Sequence, residues 1–595
     1  MNHTDMTAIF PDGPAHDVHM VHGPAKSDPF SRALRKVARA PRLVSAFIAL
    51  CLALSTACAD EPRLLFPTAS PPAAMVDVVD LRDAAPDLRL AAATLQGLVN
   101  AGDEASVFLL LSQTDVFWRD RLTERGHLRG VRPLTSGEFF KSRAAAFDRV
   151  YVHDPALPAT INVGTMLASL HRGIVATAEL APVLAPGKPV EDLRGRWKTA
   201  AEAYEWALAE LWPKMNPRVL ACLYPDPKMS GLRDYLVRQR VFTFWITDKA
   251  KDAGAAKRER ALAERVMAAA PPNVPVLGFW SSGPDAGINE YDGVGLAGEY
   301  GKVTVVSDWA SNCSLLSGIA VDFAPLVKAQ RARSDSPLPE LDPSRVYIAF
   351  NVVESGDASS YLETRQTEVW ADPKRGSVPI GWGLGLCAAE LMPPVVEYYL
   401  QTATPNDRLF AAISGAGYTH PFRNFMARTP NPEAAWKEYL GITAGLMDRL
   451  GFTELGLYTD SWKPNDRAAR EPVLRRFAGG VPQAALLMPG MGRDDGLTAA
   501  SATYRLGGAR DTMVSHILTR WPADYAALSK EQQIDWLVRE IQANTPAERP
   551  AFIQAMALSW AYNPADIAEV AQRLGNGYVP VSLPQYAALW RKAHP

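Results

Sequence analysis

Residues 413–421 read Ile-Ser-Gly-Ala-Gly-Tyr-Thr-His-Pro and combine more backbone-special and hydrogen-bonding residues than any other part of the chain. The short apolar run before them is typical of a strand buried on both faces. Gly415 and Gly417 permit backbone angles that residues with a Cβ avoid, which predicts a tight loop at the strand end. In that loop Tyr418 and His420 either bind a polar ligand or cap neighbouring backbone, and these residues alone leave both readings open.

The predicted strand before this loop is one of a series. Beyond a proline-rich linker at 337–343, eight strand-like runs are separated by segments long enough for helices or long loops. The runs begin near Val346, Val378, Leu409, Thr453, Gln483, Met513, Phe552 and Tyr578. Eight such units in about 250 residues predict a (β/α)8 barrel or a close relative. An open or seven-stranded sheet is the alternative, because the fifth and sixth runs are weak.

The chain before the linker also alternates strand-like and helical segments. Strand-like runs at 75–81, 106–111 and 150–153 indicate a first unit, and runs at 218–223, 241–246, 274–280 and 303–306 indicate a second. The fold class is therefore predicted as α/β, with N-terminal α/β units followed by a C-terminal (β/α)8-barrel-like domain. The predicted domains are 60–212, 213–336 and 344–595.

The motif at 415–421, Gly-Ala-Gly-Tyr-Thr-His-Pro, resembles the signature of the GxGYxYP family of putative glycoside hydrolases. His420 stands where that signature has its second tyrosine. Gly-Trp-Gly at 381–383, Glu-Leu-Met-Pro-Pro at 390–394 and Ala-Thr-Pro-Asn-Asp at 403–407 are similar to the family's C-terminal domain, and Thr-Leu-Gln-Gly-Leu-Val-Asn at 94–100 to its N-terminal part. The resemblance implies a carbohydrate substrate and hydrolysis of glycosidic bonds.

Polar and aromatic residues follow the predicted strand ends, where a barrel would hold its active site. Rings that stack on sugars and polar tips that bind hydroxyls are typical of a carbohydrate site. The predicted substrate-binding residues of the C-terminal domain are Glu354, Trp382, Glu390, Ser414, Tyr418, His420, Trp462, Asp494, His516 and Trp560. Asp308 and Asn312 join them from the second unit because they also follow a strand, although a helix cap would account for them as well.

Two aspartates are the catalytic candidates. Residues 354–357 look like the family's acidic loop, typically Ser-Asp-Gly-Asp-Asn, and match it at Gly356 and Asp357 but depart at Ser355 and Ala358. Asp460 closes another predicted strand at the same rim. Glycosidic hydrolysis uses one protonated and one ionised carboxyl group, so Asp357 and Asp460 form the predicted pair.

Two other functions stay open. A non-catalytic glycan-binding protein of the cell envelope would suit the altered acidic loop. A metal-dependent carbohydrate deacetylase or esterase would need an Asp and two His around the ion, for which Asp357, His420 and His516 are the candidates. The close histidine spacing usual for such ligands is absent from the sequence, so no metal and no cofactor are predicted.

The composition and the N-terminal residues bear on the binding partners of the protein and on its location. A formal net charge of −2 without a basic, aromatic-interleaved patch argues against nucleic-acid binding. Residues 1–59 combine an extension, a basic region and a short apolar core, which predicts a signal peptide and export to the periplasm or beyond. Lipidation at Cys58 is the alternative to simple cleavage and would be the one membrane link. Cys222, Cys313 and Cys387 are expected to be buried and unpaired.

Overall fold

A computed structural model describes residues 63–595 except 284, 335–336, 354–357, 460–466, 491–502, 507–510, 520–521 and 523–524. Residues Leu64–Pro595 contact one another as one unit. The predicted signal peptide and Cys58 lie outside the described residues. No helix among the described residues is long and apolar enough to cross a membrane.

The chain begins with two small parallel sheets that share an apolar layer. The strands of the first, in spatial order β2-β1-β3, are β1 (Pro72–Asp80), β2 (Ala105–Leu110) and β3 (Val131–Leu134). Those of the second, in order β5-β4-β6, are β4 (Arg149–Val152), β5 (Gly173–Ala176) and β6 (Val190–Asp192). The helices of this part are α1 (Pro86–Val99), α2 (Gln113–Glu124), α3 (Ser136–Ser142), α4 (Ala159–His171), α5 (Ala181–Leu184) and α6 (Ala200–Glu210). The alternation of strand and helix confirms the α/β prediction for this part.

A four-stranded parallel sheet follows, with the spatial order β10-β9-β7-β8. Its strands are β7 (Leu220–Cys222), β8 (Phe242–Phe244), β9 (Pro275–Gly278) and β10 (Val303–Val306). All are short, apolar and fully buried, as expected for strands covered on both faces. The helices around it are α7 (Arg233–Gln239), α8 (Ala253–Ala269), α9 (Glu290–Glu299), α10 (Cys313–Leu316) and α11 (Ala324–Ser334).

The rest of the chain builds a large sheet that curls on itself. Its strands are β11 (Val346–Val353), β12 (Ile380–Gly385), β13 (Asp407–Ala412), β14 (Glu454–Leu457), β15 (Leu486–Pro489), β16 (Thr503–Arg505), β17 (Met513–Ser515), β18 (Ile517–Leu518), β19 (Ala551–Leu558) and β20 (Tyr578–Pro580). Its helices are α12 (Ala358–Glu363), α13 (Arg365–Trp370), α14 (Ala388–Leu391), α15 (Pro393–Thr402), α16 (Pro432–Leu450), α17 (Arg467–Gly480), α18 (Lys530–Asn544), α19 (Pro564–Leu574) and α20 (Leu583–Ala593).

The strand pairing makes this sheet barrel-like. From β11 to β15 each strand pairs in parallel with the next along the chain, and β19 pairs with β11 along its whole length. β17 pairs with β15 while β18 pairs with β19, and only His516 separates β17 from β18, so the two ends of the curled sheet meet there. The C-terminal (β/α)8-barrel-like prediction is confirmed.

All eight predicted runs coincide with strands, namely β11, β12, β13, β14, β15, β17, β19 and β20. The eighth, β20, pairs with the first half of β11, and β12 pairs with the second half. Because β19 occupies the other side of β11, seven strand positions follow one another round the curl. The three cysteines Cys222, Cys313 and Cys387 are buried and free, which confirms that prediction.

Candidate functional site

The loop after β13 is joined to the four-stranded sheet by backbone hydrogen bonds. The Tyr418 amide donates to the Thr304 carbonyl at 2.9 Å, and the Thr304 amide donates to the Tyr418 carbonyl at 3.1 Å. A Cβ on Gly417 would lie 2.5 Å from the Val303 side chain, and Gly415 has φ +108°. Both glycines are therefore required, one by close approach and the other by its backbone angle. The tight loop predicted from the motif is present, and it brings β10 to the rim of the curled sheet.

A cluster of four rings lies at this junction, and we call it the tyrosine–histidine cluster: Tyr291, Tyr418, His420 and Tyr458. His420 stacks on Tyr458 with centroids 4.5 Å apart and lies 4.8 Å from Tyr291. The Tyr418 hydroxyl donates to the Glu290 carboxylate at 3.2 Å. The cluster thus combines the motif loop, the end of β14 and the first turn of α9, and it places aromatic rings beside polar groups.

His420 is the unusual member of the cluster. Its side chain is buried, and neither ring nitrogen has a hydrogen-bond partner among the described residues. Burial, with a smaller contribution from the positive charge of Arg423, lowers the pKa of His420 to about 3. The imidazole is therefore neutral, with one N–H donor and one acceptor nitrogen. An unpartnered buried polar group destabilises a fold by about 1–3 kcal/mol, and functional sites are among the places where proteins retain such groups.

Asp308 follows β10, the strand whose Thr304 bonds the motif loop, by two residues. Its carboxylate accepts a hydrogen bond from the Ser360 hydroxyl at 3.3 Å, and the next amide, of Trp309, donates to the Ser360 oxygen at 3.0 Å. Among the described residues no cation forms an ion pair with Asp308. Removal from water raises the pKa of Asp308 to about 6. A partly exposed carboxyl group at the rim, half protonated near pH 6, can act as a proton donor.

Two more predicted residues lie at or near the same rim. Trp560 follows β19 by two residues and packs edge-on against Tyr361 of α12 with centroids 5.8 Å apart. Tyr361 adjoins Ser360 in α12, so Trp560 and Asp308 both contact this helix. His516 is buried where the two ends of the curled sheet meet, and Tyr504 is its ring neighbour at 6.4 Å.

Four predicted residues are engaged inside the protein. Trp382 is fully buried, and its indole N–H donates to Asp407 at 2.8 Å. The Glu390 carboxylate accepts the Phe66 amide at 3.0 Å, which fixes the start of the described chain. The Ser414 hydroxyl oxygen accepts the Tyr458 amide at 2.9 Å and holds two rim loops together. The fourth is Asn312, which is described below, and each of the four is held by hydrogen bonds within the protein.

The Asn312 amide is saturated by the protein. Its nitrogen donates to the Leu109 carbonyl at 2.9 Å and to Asp115 at 3.1 Å. Its oxygen accepts the Leu109 amide and the Gln96 side chain, each at 2.8 Å. The residue has φ 56°, a left-handed angle that asparagine tolerates better than most residues. Asn312 therefore fastens the first sheet to the end of the four-stranded sheet.

The remaining predicted site residues lie outside the described residues: Glu354, Asp357, Asp460, Trp462 and Asp494. Asp357 falls directly before α12, and Asp460 follows β14 by three residues. Among the described residues no three His, Cys, Asp or Glu side chains converge to hold a metal ion.

Sequence reasoning missed four residues of the rim: Glu290, Tyr291, Ser360 and Tyr458. Tyr458 ends a predicted strand and could have been selected for that reason. The residues at the start of α9, Asn289-Glu-Tyr, indicate only a helix cap. In the structure the Asn289 side chain forms that cap and accepts the Asp292 amide at 2.8 Å. Nothing in the sequence near Glu290 indicates that it meets a loop more than a hundred residues later.

Comparisons with known proteins agree with this architecture. The family profile described as "GxGYxYP putative glycoside hydrolase C-terminal domain" matches residues 344–591, and profiles of the same family's third and second domains match 217–318 and 150–215. A search of curated proteins gave no match.

Among solved structures, one similar chain is titled as a putative hydrolase from Bacteroides thetaiotaomicron VPI-5482, at 1.25 Å resolution. It superposes with a TM-score of 0.71 over 88% of this chain and 96% of that chain, at 15% sequence identity. At that identity the likeness concerns the fold alone. The three profiles together cover most of the chain, and the protein therefore belongs to the GxGYxYP family.

Proposed function

We propose that the protein hydrolyses glycosidic bonds at the rim where the end of β10 meets α12 and the loop after β13. The observation that carries this proposal is Asp308, a partly exposed carboxyl group whose pKa is raised to about 6. Cleavage of a glycosidic bond requires an acid whose pKa is raised, so that its protonated form is still populated near pH 6. The family description, which names glycoside hydrolases, supports the same reaction class.

In the proposed mechanism Asp308 gives its proton to the leaving glycosidic oxygen as the bond to the anomeric carbon breaks. The ionised partner comes from the predicted pair, Asp357 or Asp460, and either attacks that carbon or deprotonates a water that does. Asp357 precedes Ser360 by three residues, a distance of at most about 11 Å along the chain. Asp357 is therefore the first candidate for the partner of Asp308, and Asp460 is the second.

The tyrosine–histidine cluster is the proposed sugar-binding side of the rim. Sugar hydroxyls both donate and accept hydrogen bonds, and the neutral His420 ring has one nitrogen for each role. The Tyr418 ring lies 5.6 Å from the His420 ring, and its hydroxyl donates to Glu290. Ring faces beside polar tips suit a sugar ring, which has apolar C–H faces and polar edges.

The test is a broad glycan panel, with reducing-end release and binding measured in parallel. The variants are Asp308→Asn, Asp357→Asn and Asp460→Asn, and the control is Asp448→Asn on the exposed face of α16. We expect release by the wild type and the control. Asp308→Asn and one of the other two variants should lose about 10²–10⁴-fold in rate while still binding the glycan.

Release at the wild-type rate by all three variants would contradict the proposed acid chemistry. Binding without release by every protein, the wild type included, would instead favour the non-catalytic glycan-binding alternative. Loss of an esterase or deacetylase activity on thorough chelation would favour the metal-dependent alternative. Export, predicted from residues 1–59, belongs to the proposal, and it places the glycan outside the cytoplasm.

A further inference from the structure

Tyr224 and Trp309 are the two aromatic side chains that the described part of the chain leaves exposed, at 46% and 53%. Tyr224 follows β7 by two residues, and Trp309 follows β10 by three. All strands of this sheet are parallel, so both rings lie at the same edge, outside the carboxyl ends of the strands. We call this the aromatic edge.

The edge coincides with the point where the sheet reverses its order. The chain passes from β7 to β8 on one side and then to β9 and β10 on the other, so the reversal lies between β7 and β9. Open parallel sheets bind ligands in the crevice at this point. Tyr224 follows β7 directly. Trp280 follows β9 by two residues, and its buried indole N–H has no hydrogen-bond partner among the described residues.

Tyr224 is held firmly although it is exposed. Its ring packs against Trp245 with centroids 5.2 Å apart at 65°, and the Trp245 indole N–H donates to Asp248 at 3.1 Å. The Tyr224 carbonyl accepts a hydrogen bond from the buried Arg233 at 3.4 Å. An exposed ring whose position is already fixed loses little freedom when a ligand stacks on it. The exposed Asp248 beside it supplies an acceptor for hydroxyl groups.

We propose that the aromatic edge binds the sugar rings of an oligosaccharide whose scissile end reaches Asp308. Trp309 adjoins Asp308, and β9 separates β10 from β7, so the backbones at the two exposed rings are roughly 10 Å apart. Sugar units next to the cleaved bond would contact Trp309, and units further along the chain would contact Tyr224. The inference rests on the proposed function and extends it. The substrate is then an oligosaccharide that runs from Asp308 past Trp309 to Tyr224.

The test compares oligosaccharides of increasing length with the wild type and with Tyr224→Ala, Trp309→Ala and a control, Trp536→Ala on the outer helix α18. The wild type should bind longer chains more tightly. Tyr224→Ala should weaken binding of long chains roughly 3- to 10-fold and leave short substrates unaffected, whereas Trp309→Ala should weaken both. The control should match the wild type at every length.

Equal loss with short and long chains in Tyr224→Ala, or no loss with either, overturns the inference. Circular dichroism and thermal unfolding of each variant separate loss of binding from loss of fold, and Tyr224→Phe, which keeps the ring, should retain the length dependence. A wild type that binds long chains in this pattern but releases no reducing ends would contradict the proposed hydrolysis and leave the aromatic edge standing. Hydrolysis with no length dependence would support the proposed hydrolysis and contradict the aromatic edge as a binding site.

Discussion

Asn312 and His420 are two polar residues at junctions of the four-stranded sheet, and the structure treats them in opposite ways. Asn312 is buried with both atoms of its amide engaged by Gln96, Leu109 and Asp115. His420 is equally buried, yet neither of its nitrogens has a partner among the described residues. The protein completes the first residue and leaves the second incomplete, so burial alone does not distinguish a structural residue from a functional one.

The same contrast separates two groups of carboxylates. Asp115 and Glu363 are buried and share the Ser311 hydroxyl, which lies within hydrogen-bonding distance of both. The hydroxyl has one proton and can donate to one carboxylate at a time. Protonation of one carboxyl group therefore removes the repulsion between the two charges. Asp308 is partly exposed at the rim and has the Ser360 hydroxyl as its side-chain partner. The enclosed pair fastens the fold, and the exposed group is placed to react.

Asn312→Gly gives the largest expected effect on stability. Glycine keeps the left-handed backbone angle, so the loss comes from the missing amide and the partners it leaves unpaired. We expect the free energy of unfolding to fall by about 2–4 kcal/mol, measured by urea denaturation. A change below about 1 kcal/mol would show that the hydrogen bonds of Asn312 contribute little to stability.

His420→Phe should have the opposite signature. Phenylalanine keeps an aromatic ring, although a larger one, and removes two unpartnered nitrogens, so the two effects oppose each other and the free energy of unfolding should change by less than about 1 kcal/mol. Glycan affinity should fall roughly 10-fold, because the hydrogen bonds to the ligand are lost. The matched control is Tyr439→Phe, which removes a buried hydroxyl that donates to the Ser414 carbonyl and should therefore lower stability. Unchanged affinity in His420→Phe would make this histidine a packing residue.

The enclosed carboxylates predict a pH effect on stability. Burial, and then the neighbouring Asp115, raise the pKa of Glu363 well above its usual value. The folded state therefore holds a proton that the unfolded state releases at lower pH, so stability falls as pH rises above the ordinary glutamate range. Glu363→Gln cannot ionise and should reduce the loss of stability between about pH 5 and about pH 8. An identical pH dependence of stability in variant and wild type would show that ionisation of Glu363 does not destabilise the folded state.

The smallest predicted effect concerns Ser360. Burial sets the raised pKa of Asp308, and the hydrogen bond from the Ser360 hydroxyl opposes it by favouring the ionised form. Ser360→Ala should therefore raise the pKa of Asp308 further and move the alkaline limb of the activity profile upward by less than about one pH unit. Ser360→Thr keeps the hydroxyl and should keep the limb in place. A downward shift in Ser360→Ala would show that this hydroxyl does not act on Asp308.

The sequence predicted the strands well because each is a short buried apolar run, and all eight predicted starts in the curled sheet lie within a few residues of a strand. The glycines of the motif were informative for the same local reason. The position of β20 beside β11 was not predictable, since strand pairing depends on distant segments.

The roles of the polar residues were less predictable than the strands. Trp382 and Asn312 follow or lie in predicted strands just as Asp308 does, and only the packing of remote segments separates them. Asn312 meets Asp115 from almost two hundred residues away, and His420 meets Tyr291 from more than a hundred. Strand ends thus indicated where a site would form, and hydrogen-bond partners decided which residues belong to it.

The dependence of wild-type kcat/KM on pH during glycan cleavage tests directly whether Asp308 is the acid. If Asp308 supplies the proton, the reaction requires its protonated form, so kcat/KM should fall as pH rises through about 6, the pKa of this group in the free protein. His420 is already neutral across this range, because its pKa is lowered to about 3, and adds no limb of its own near neutrality. A kcat/KM that stays constant or rises between about pH 5 and about pH 8 would contradict the assignment of Asp308 as the acid.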